Sequence, residues 1–162
     1  MAKNNMQQLN VIGLDESGAQ KLAGKLNELL ANYQIFYMNV RGFHWNIRGE
    51  SFFELHAKFE ETYNDLLIKI DEIAERILTL GQQPHHTYSK YIENSAIQEA
   101  SNMHEGRECV KSILNSYREV IQLQRELLSA AGEIEDEGTA SLMADYITAQ
   151  EKTAWMLTSY LK

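Results

Sequence analysis

The chain should fold as an all-α bundle of four long helices. Two observations carry that expectation. One proline and nine glycines punctuate 162 residues, too few breaks for a protein of many short strands. Apolar residues also recur at intervals of three and four along extended stretches, the spacing of a single helix face.

The first such stretch is Leu22, Leu26, Leu29, Tyr33, Phe36 and Val40. Asp15 or Ser17 can cap its start. The helix should run to about Trp45, and Asn46 to Glu50 then make a glycine-containing turn. Residues 1–14 ahead of it are expected to form a flexible tail. In the second helix, Ser51 followed by Glu54 is a capping box, with hydroxyl and carboxylate satisfying free backbone amides. That helix should continue to Leu80, with Gly81 as its C-terminal cap and Pro84 preventing continuation.

A long connection from Gln82 to about Met103 contains "SAIQEA" and should hold one or two helical turns in its middle. The third helix covers roughly Glu105 to Ala130 and the fourth about Thr139 to Leu161. Four long helices with a long second connection suggest a ferritin-like four-helix bundle. It would be a single domain over residues 1–162, with a short helix between helices 2 and 3. Periodicity alone leaves a coiled coil or a helical adaptor open.

Composition narrows the class. The apolar share of 44% and charged share of 23% are those of an ordinary globular protein. The single cysteine, Cys109, rules out an intramolecular disulfide and fits a reducing compartment. The start, MAKNNMQQLN, lacks a signal-peptide core, and no run approaches the roughly 18 apolar residues of a spanning helix. A cytoplasmic protein with no membrane partner is expected. The formal charge of −8 argues against a general nucleic-acid binder. Acidic surfaces attract cations instead.

The second helix has three faces. Phe52, Leu55, Phe59, Tyr63, Leu66, Ile70, Ile73, Ile77 and Leu80 form an apolar stripe for the interior. Glu54, Lys58, Glu61, Asp65, Lys69, Glu72 and Arg76 form a charged stripe, expected to face solvent. Between them lie His56, Glu60, Leu67, Asp71, Ala74, Glu75 and Leu78, which mix metal-ligand types with apolar groups. His56 and Glu60 are neighbours four apart, as are Asp71 and Glu75. Fifteen residues separate the pairs, roughly 22 Å of helix, so one site within one chain cannot use both.

Two copies of the helix packed antiparallel remove that difficulty. His56 with Glu75 and Glu60 with Asp71 share one midpoint, between residues 65 and 66. A two-fold axis there brings His56 and Glu60 of one chain opposite Glu75 and Asp71 of the other, twice per dimer. His44 should join from the first helix, because the hairpin sets it at the height of residues 54 to 56. Imidazole and carboxylate without thiolate suit Fe(II), and also Zn or Mn. None of the five histidines has a glutamate three residues before it, so no Glu-x-x-His pair can build a di-iron centre inside the bundle.

With these features assembled, the sequence resembles the Dps family of mini-ferritins over nearly its whole length, most specifically in "HWN…G…F…LH…FE" followed by "DEIAERILTLG". The resemblance implies a hollow shell of twelve subunits with a two-iron Fe(II)/Fe(III) ferroxidase site at each two-fold interface. It implies His44 and His56 as ligands from one chain and Asp71 and Glu75 from its partner. Glu60 stands where many relatives have aspartate, which keeps the charge on a longer arm. The implied activity is Fe(II) oxidation, usually by hydrogen peroxide, with ferric mineral stored in the cavity against oxidative damage. Trp45, beside the site, would be either a radical sink or a plain interface aromatic. Glu135, Asp136, Glu137 and Asp145 would line an acidic pore for iron, or merely a solvated helix start.

Other features read as incidental: His85 and His86 as a surface pair, His104 likewise, and Cys109 as an inert thiol. Two rival functions stay open. A non-catalytic nucleoid-compacting DNA binder would need a basic tail, and Lys3 is the sole Lys or Arg before residue 21. A non-catalytic helical scaffold would take up no iron.

Overall fold

The computed structural model describes residues 8–162. Its helices are α1 (Glu16–Asn46), α2 (Phe52–Thr79), α3 (Tyr88–Asn94), α4 (Gly106–Glu133) and α5 (Glu137–Tyr160). The four long ones make the bundle: α1 packs on α2 and α4, and α4 packs on α5, while the short α3 lies against α1. Leu26, Leu30, Phe36, Phe59, Leu66, Ile73, Ile113 and Val120, all fully buried, form its interior. A small polar cluster sits among them. The hydroxyl of buried Tyr33 receives the side-chain amides of Gln124 and Gln150, and burial raises its pKa above the ordinary phenol value.

Helix ends follow local chemistry. Asp15, rather than Ser17, caps α1, its carboxylate accepting from the Gly18 N–H at 2.8 Å. Residues 8–14 are not a loose tail: the Asn10 side chain accepts from the N–H groups of Ile12 and Leu14, and Leu9 pairs with Asp15. Residues 1–7 of the expected tail lie outside the described residues. At the end of α2, Gly81 takes φ +82, which glycine tolerates without strain. The Gln82 N–H then reaches the Ile77 carbonyl at 3.1 Å and the Gly81 N–H reaches Leu78 at 2.9 Å, closing a Schellman stop.

Two expectations fail here. The Ser51–Glu54 capping box does not form. Ser51 sits at φ −93, ψ 25 with no side-chain cap bond, outside the extended geometry that lets a capping hydroxyl reach forward. Gly49, at φ +110, reverses the chain instead, and its carbonyl accepts from the Phe52 N–H at 3.1 Å. The charged stripe of α2 is also not simply solvated. Lys69 is buried, paired with Asp65 and lying 5.2 Å from the Tyr146 ring centroid, and Tyr146 donates to Glu72. Arg76 holds Asp136 at 2.6 Å and Thr139 at 2.8 Å. These long side chains fill the seam between α2 and α5, with their apolar stems packed and their charges paired.

The connection holds one short helix, but "SAIQEA" is not part of it. Three buried asparagines on α1 explain why. Asn27 accepts from the His85 N–H and donates to Gln83; Asn32 accepts from Ala96 and Ile97; Asn39 accepts from Ala100 and donates to Gln98. Backbone groups that a helix would use internally are taken by these amides, so residues 95–100 run irregularly along α1. Asn39→Ala should therefore cost roughly 1–3 kcal/mol, the penalty of orphaned buried partners. Hydrogen exchange would accelerate at Ala100 and stay slow at Ala96, which Asn32 holds; equal protection at Ala100 in wild type and variant would contradict it.

Candidate metal centre

The turn at residues 47–51 sets the end of α1 beside the start of α2, and this creates the site's geometry. His44, in the last turn of α1, is 8% exposed. His56 is half-buried in the second turn of α2. Their rings stack with centroids 3.8 Å apart and planes 17° from parallel. Each ring bonds to the backbone of the other residue: His44 Nδ1 lies 2.7 Å from the His56 carbonyl, and His56 Nδ1 lies 2.8 Å from the His44 carbonyl.

A carbonyl can only accept, so both Nδ1 atoms must carry a proton. In the neutral rings, the lone pair is thereby left on both Nε2 atoms. This is the arrangement of metal-binding imidazole, with the second nitrogen fixing the tautomer and the ring's direction. Further rings adjoin the pair. Phe52 stacks on His56 at 5.0 Å, and Tyr63 meets His44 edge-on at 5.3 Å.

The structure brings His44 and His56 together and leaves the acids apart. Glu60, Asp71 and Glu75 all lie exposed on α2. Among the described residues of one chain, no three His, Cys, Asp or Glu side chains converge on a point suited to a metal. The face that carries them is more apolar than the sequence stripe implied. Phe53 is 80% exposed and Ile68 61%, beside Leu67 and Leu78 at 48% and 58%. Phe53 and Ile68 were missed, although each lies three residues before a ligand-type residue, His56 and Asp71, and so on the same helix face.

The acidic set around α5 divides. Glu135, Glu137 and Asp145 are exposed. Asp136 is not available to a pore: it is 3% exposed, caps α5 through the Thr139 N–H at 3.0 Å, and is neutralised by Arg76. Trp45 is half-exposed, with the Arg41 guanidinium 4.9 Å from its ring centroid. His85 and His86 gain no ligand partner. Cys109 is fully buried, and burial together with Glu105 and Glu108 pushes its thiol up to about 11, so thiolate chemistry is suppressed at neutral pH.

A four-helix bundle with one long crossover is the architecture of the ferritin-like class, and the family model for the ferritin-like domain matches residues 23–162. The Dps protein of Vibrio cholerae O1, described as a member of a broad superfamily of ferritin-like diiron-carboxylate proteins, superposes with TM-score 0.95. The two are 53% identical over 99% of this chain and 100% of that one. A Dps protein from Bacillus brevis superposes at 0.87 with 35% identity, covering 90% of this chain and 98% of its own. The DNA protection during starvation protein of Porphyromonas gingivalis is 40% identical over 94% of this chain and 96% of its own length. The chain belongs to the Dps family of ferritin-like proteins. Among the described residues, no helix is long and apolar enough to cross a membrane.

Proposed function

We propose that this protein oxidises Fe(II) with hydrogen peroxide and stores the ferric product, at sites that two chains complete together. The observation that carries the reading is the reciprocal bonding of His44 and His56, which commits both Nδ1 protons to carbonyls and leaves a lone pair on each Nε2 of two stacked rings. The donor set fits iron: neutral imidazoles suit Fe(II), and hard carboxylates bind both oxidation states. Zn and Mn fit the same donors.

The exposed face of α2 supports the pairing of chains. The antiparallel register that sets His56 opposite Glu75 and Glu60 opposite Asp71 also sets exposed Phe53 opposite exposed Leu78, and Ala57 opposite Ala74. Apolar side chains left bare in one chain would thus cover one another, as at an isologous interface. His44 and His56 then hold Fe(II) from one side. Asp71 and Glu75 of the second chain hold it from the other, with Glu75 able to bridge two ions and Glu60 serving a second position.

Two Fe(II) give up one electron each to one hydrogen peroxide, which takes up two protons and leaves as two waters. Delivery of both electrons together avoids releasing a one-electron hydroxyl radical. Trp45, which follows His44 in the chain, would serve as a contact aromatic or an interceptor of stray oxidising equivalents. Twelve such chains would enclose the mineral, and the exposed Glu135, Glu137 and Asp145 would draw Fe(II) inward. The net charge of −8 gives no support to the nucleoid-compacting alternative.

The test is anaerobic Fe(II) loading followed by peroxide, monitored by ferric absorbance. His56→Ala should slow oxidation at least about tenfold, the scale on which metal sites respond to lost support. Equal rates for wild type and variant would remove the site.

A further inference from the structure

Each imidazole is held by a single backbone bond against rotation about its Cβ–Cγ bond. A half-turn there would break the Nδ1 bond, release the tautomer and swing Nε2 away from the metal position. A second restraint would oppose that rotation. The four rings Phe52, His56, His44 and Tyr63 run in contact, with centroid separations of 5.0, 3.8 and 5.3 Å. Phe52 lies nearly parallel to His56, at 19°, and Tyr63 stands nearly perpendicular to His44, at 79°. Tyr63 is in turn backed by Tyr37, edge-on at 6.1 Å.

We propose that Phe52 and Tyr63 are positioning residues for the imidazole pair, holding both Nε2 atoms toward the metal position before any ion or second chain arrives. Neither touches the metal. Both act by shape, because a flat ring against an imidazole opposes rotation in a way that a branched aliphatic chain does not. The phenol oxygen of Tyr63 has no part in this, so a ring without the hydroxyl serves equally well. The inference rests on the proposed ligand role of His44 and His56.

The experiment uses the assembled, metal-free protein and Co(II) as a redox-inactive probe, titrated anaerobically and read by its visible absorption. Phe52→Leu and Tyr63→Leu keep apolar bulk but remove the ring. Each should weaken Co(II) binding by roughly tenfold or more, whereas Phe52→Tyr and Tyr63→Phe should stay within about twofold of wild type. Ring-nitrogen NMR of histidine-labelled protein without metal gives a second reading. Wild type and the two ring-preserving variants should show Nδ1–H at both histidines, and the leucine variants a mixture of tautomers. Size-exclusion chromatography confirms that each variant assembles.

His56→Ala separates the two ideas. If it loses Co(II) binding while the leucine variants bind as wild type does, the positioning role is overturned and the ligand role stands. If His56→Ala itself binds Co(II) normally, both fall.

Discussion

Chains lacking both imidazoles (His44→Ala with His56→Ala) and chains lacking both acids (Asp71→Ala with Glu75→Ala) should each oxidise Fe(II) only at background rate, and should regain activity when assembled together. In a mixed dimer the acid-deficient chain supplies the histidines and the imidazole-deficient chain supplies the acids, so one of its two sites is whole. Random reassembly makes half the dimers mixed, and about a quarter of all sites should then work, a consequence of two-fold symmetry. The measurement is the peroxide-driven rate after joint unfolding and refolding, compared with each variant refolded alone. A site contained in one chain predicts no recovery. This outcome separates shared sites from a general loss of fold, since neither parent is repaired by mixing unless the half-sites meet.

Removing Arg76 should be among the most damaging changes outside the metal centre. Its guanidinium neutralises Asp136, whose side chain is 2% exposed, and also donates to Thr139. Arg76→Ala leaves a carboxylate buried without its partner. Changes of that kind cost about 3–5 kcal/mol, on the order of 10 °C in midpoint for a domain of this size. Thermal unfolding at fixed protein concentration reads it directly; a loss below about 1 kcal/mol would mean that the pair behaves like an exposed one. Arg76→Lys keeps the charge but loses the two-pronged geometry, so it should fall between. Gly138 belongs to the same arrangement, because a Cβ there would lie 2.9 Å from Arg76 Nη1.

Much of this was legible in the residues, and what was not has identifiable causes. The helix starting at Asp15, the stop at Gly81 and the apolar stripe of α2 all follow from local chemistry and periodicity, which depend on neighbours in the chain. So does the meeting of His44 and His56 across a short turn. The failures involve partners far apart in sequence. Asn27, Asn32 and Asn39 read as indifferent helix residues until the connection is seen lying on them, more than fifty positions away. Asp136 looked like one acid in an acidic run, and Arg76 like one charge on a wet face; only the seam between α2 and α5 shows them buried together. Ser51 had the right residue type for a cap and the wrong backbone angles. Whether a charged side chain is solvated is decided by tertiary packing, which a helical wheel does not contain.

The reciprocal bonds between His44 and His56 also have a mechanical meaning. They rivet the last turn of α1 to the beginning of α2, so the hairpin is fastened by the side chains that would grip the ion. Replacing either imidazole removes a rivet along with a ligand, and sequence change at these two positions is penalised twice. Asp71 and Glu75 carry no such fastening duty, and their loss should leave the hairpin as firm as before.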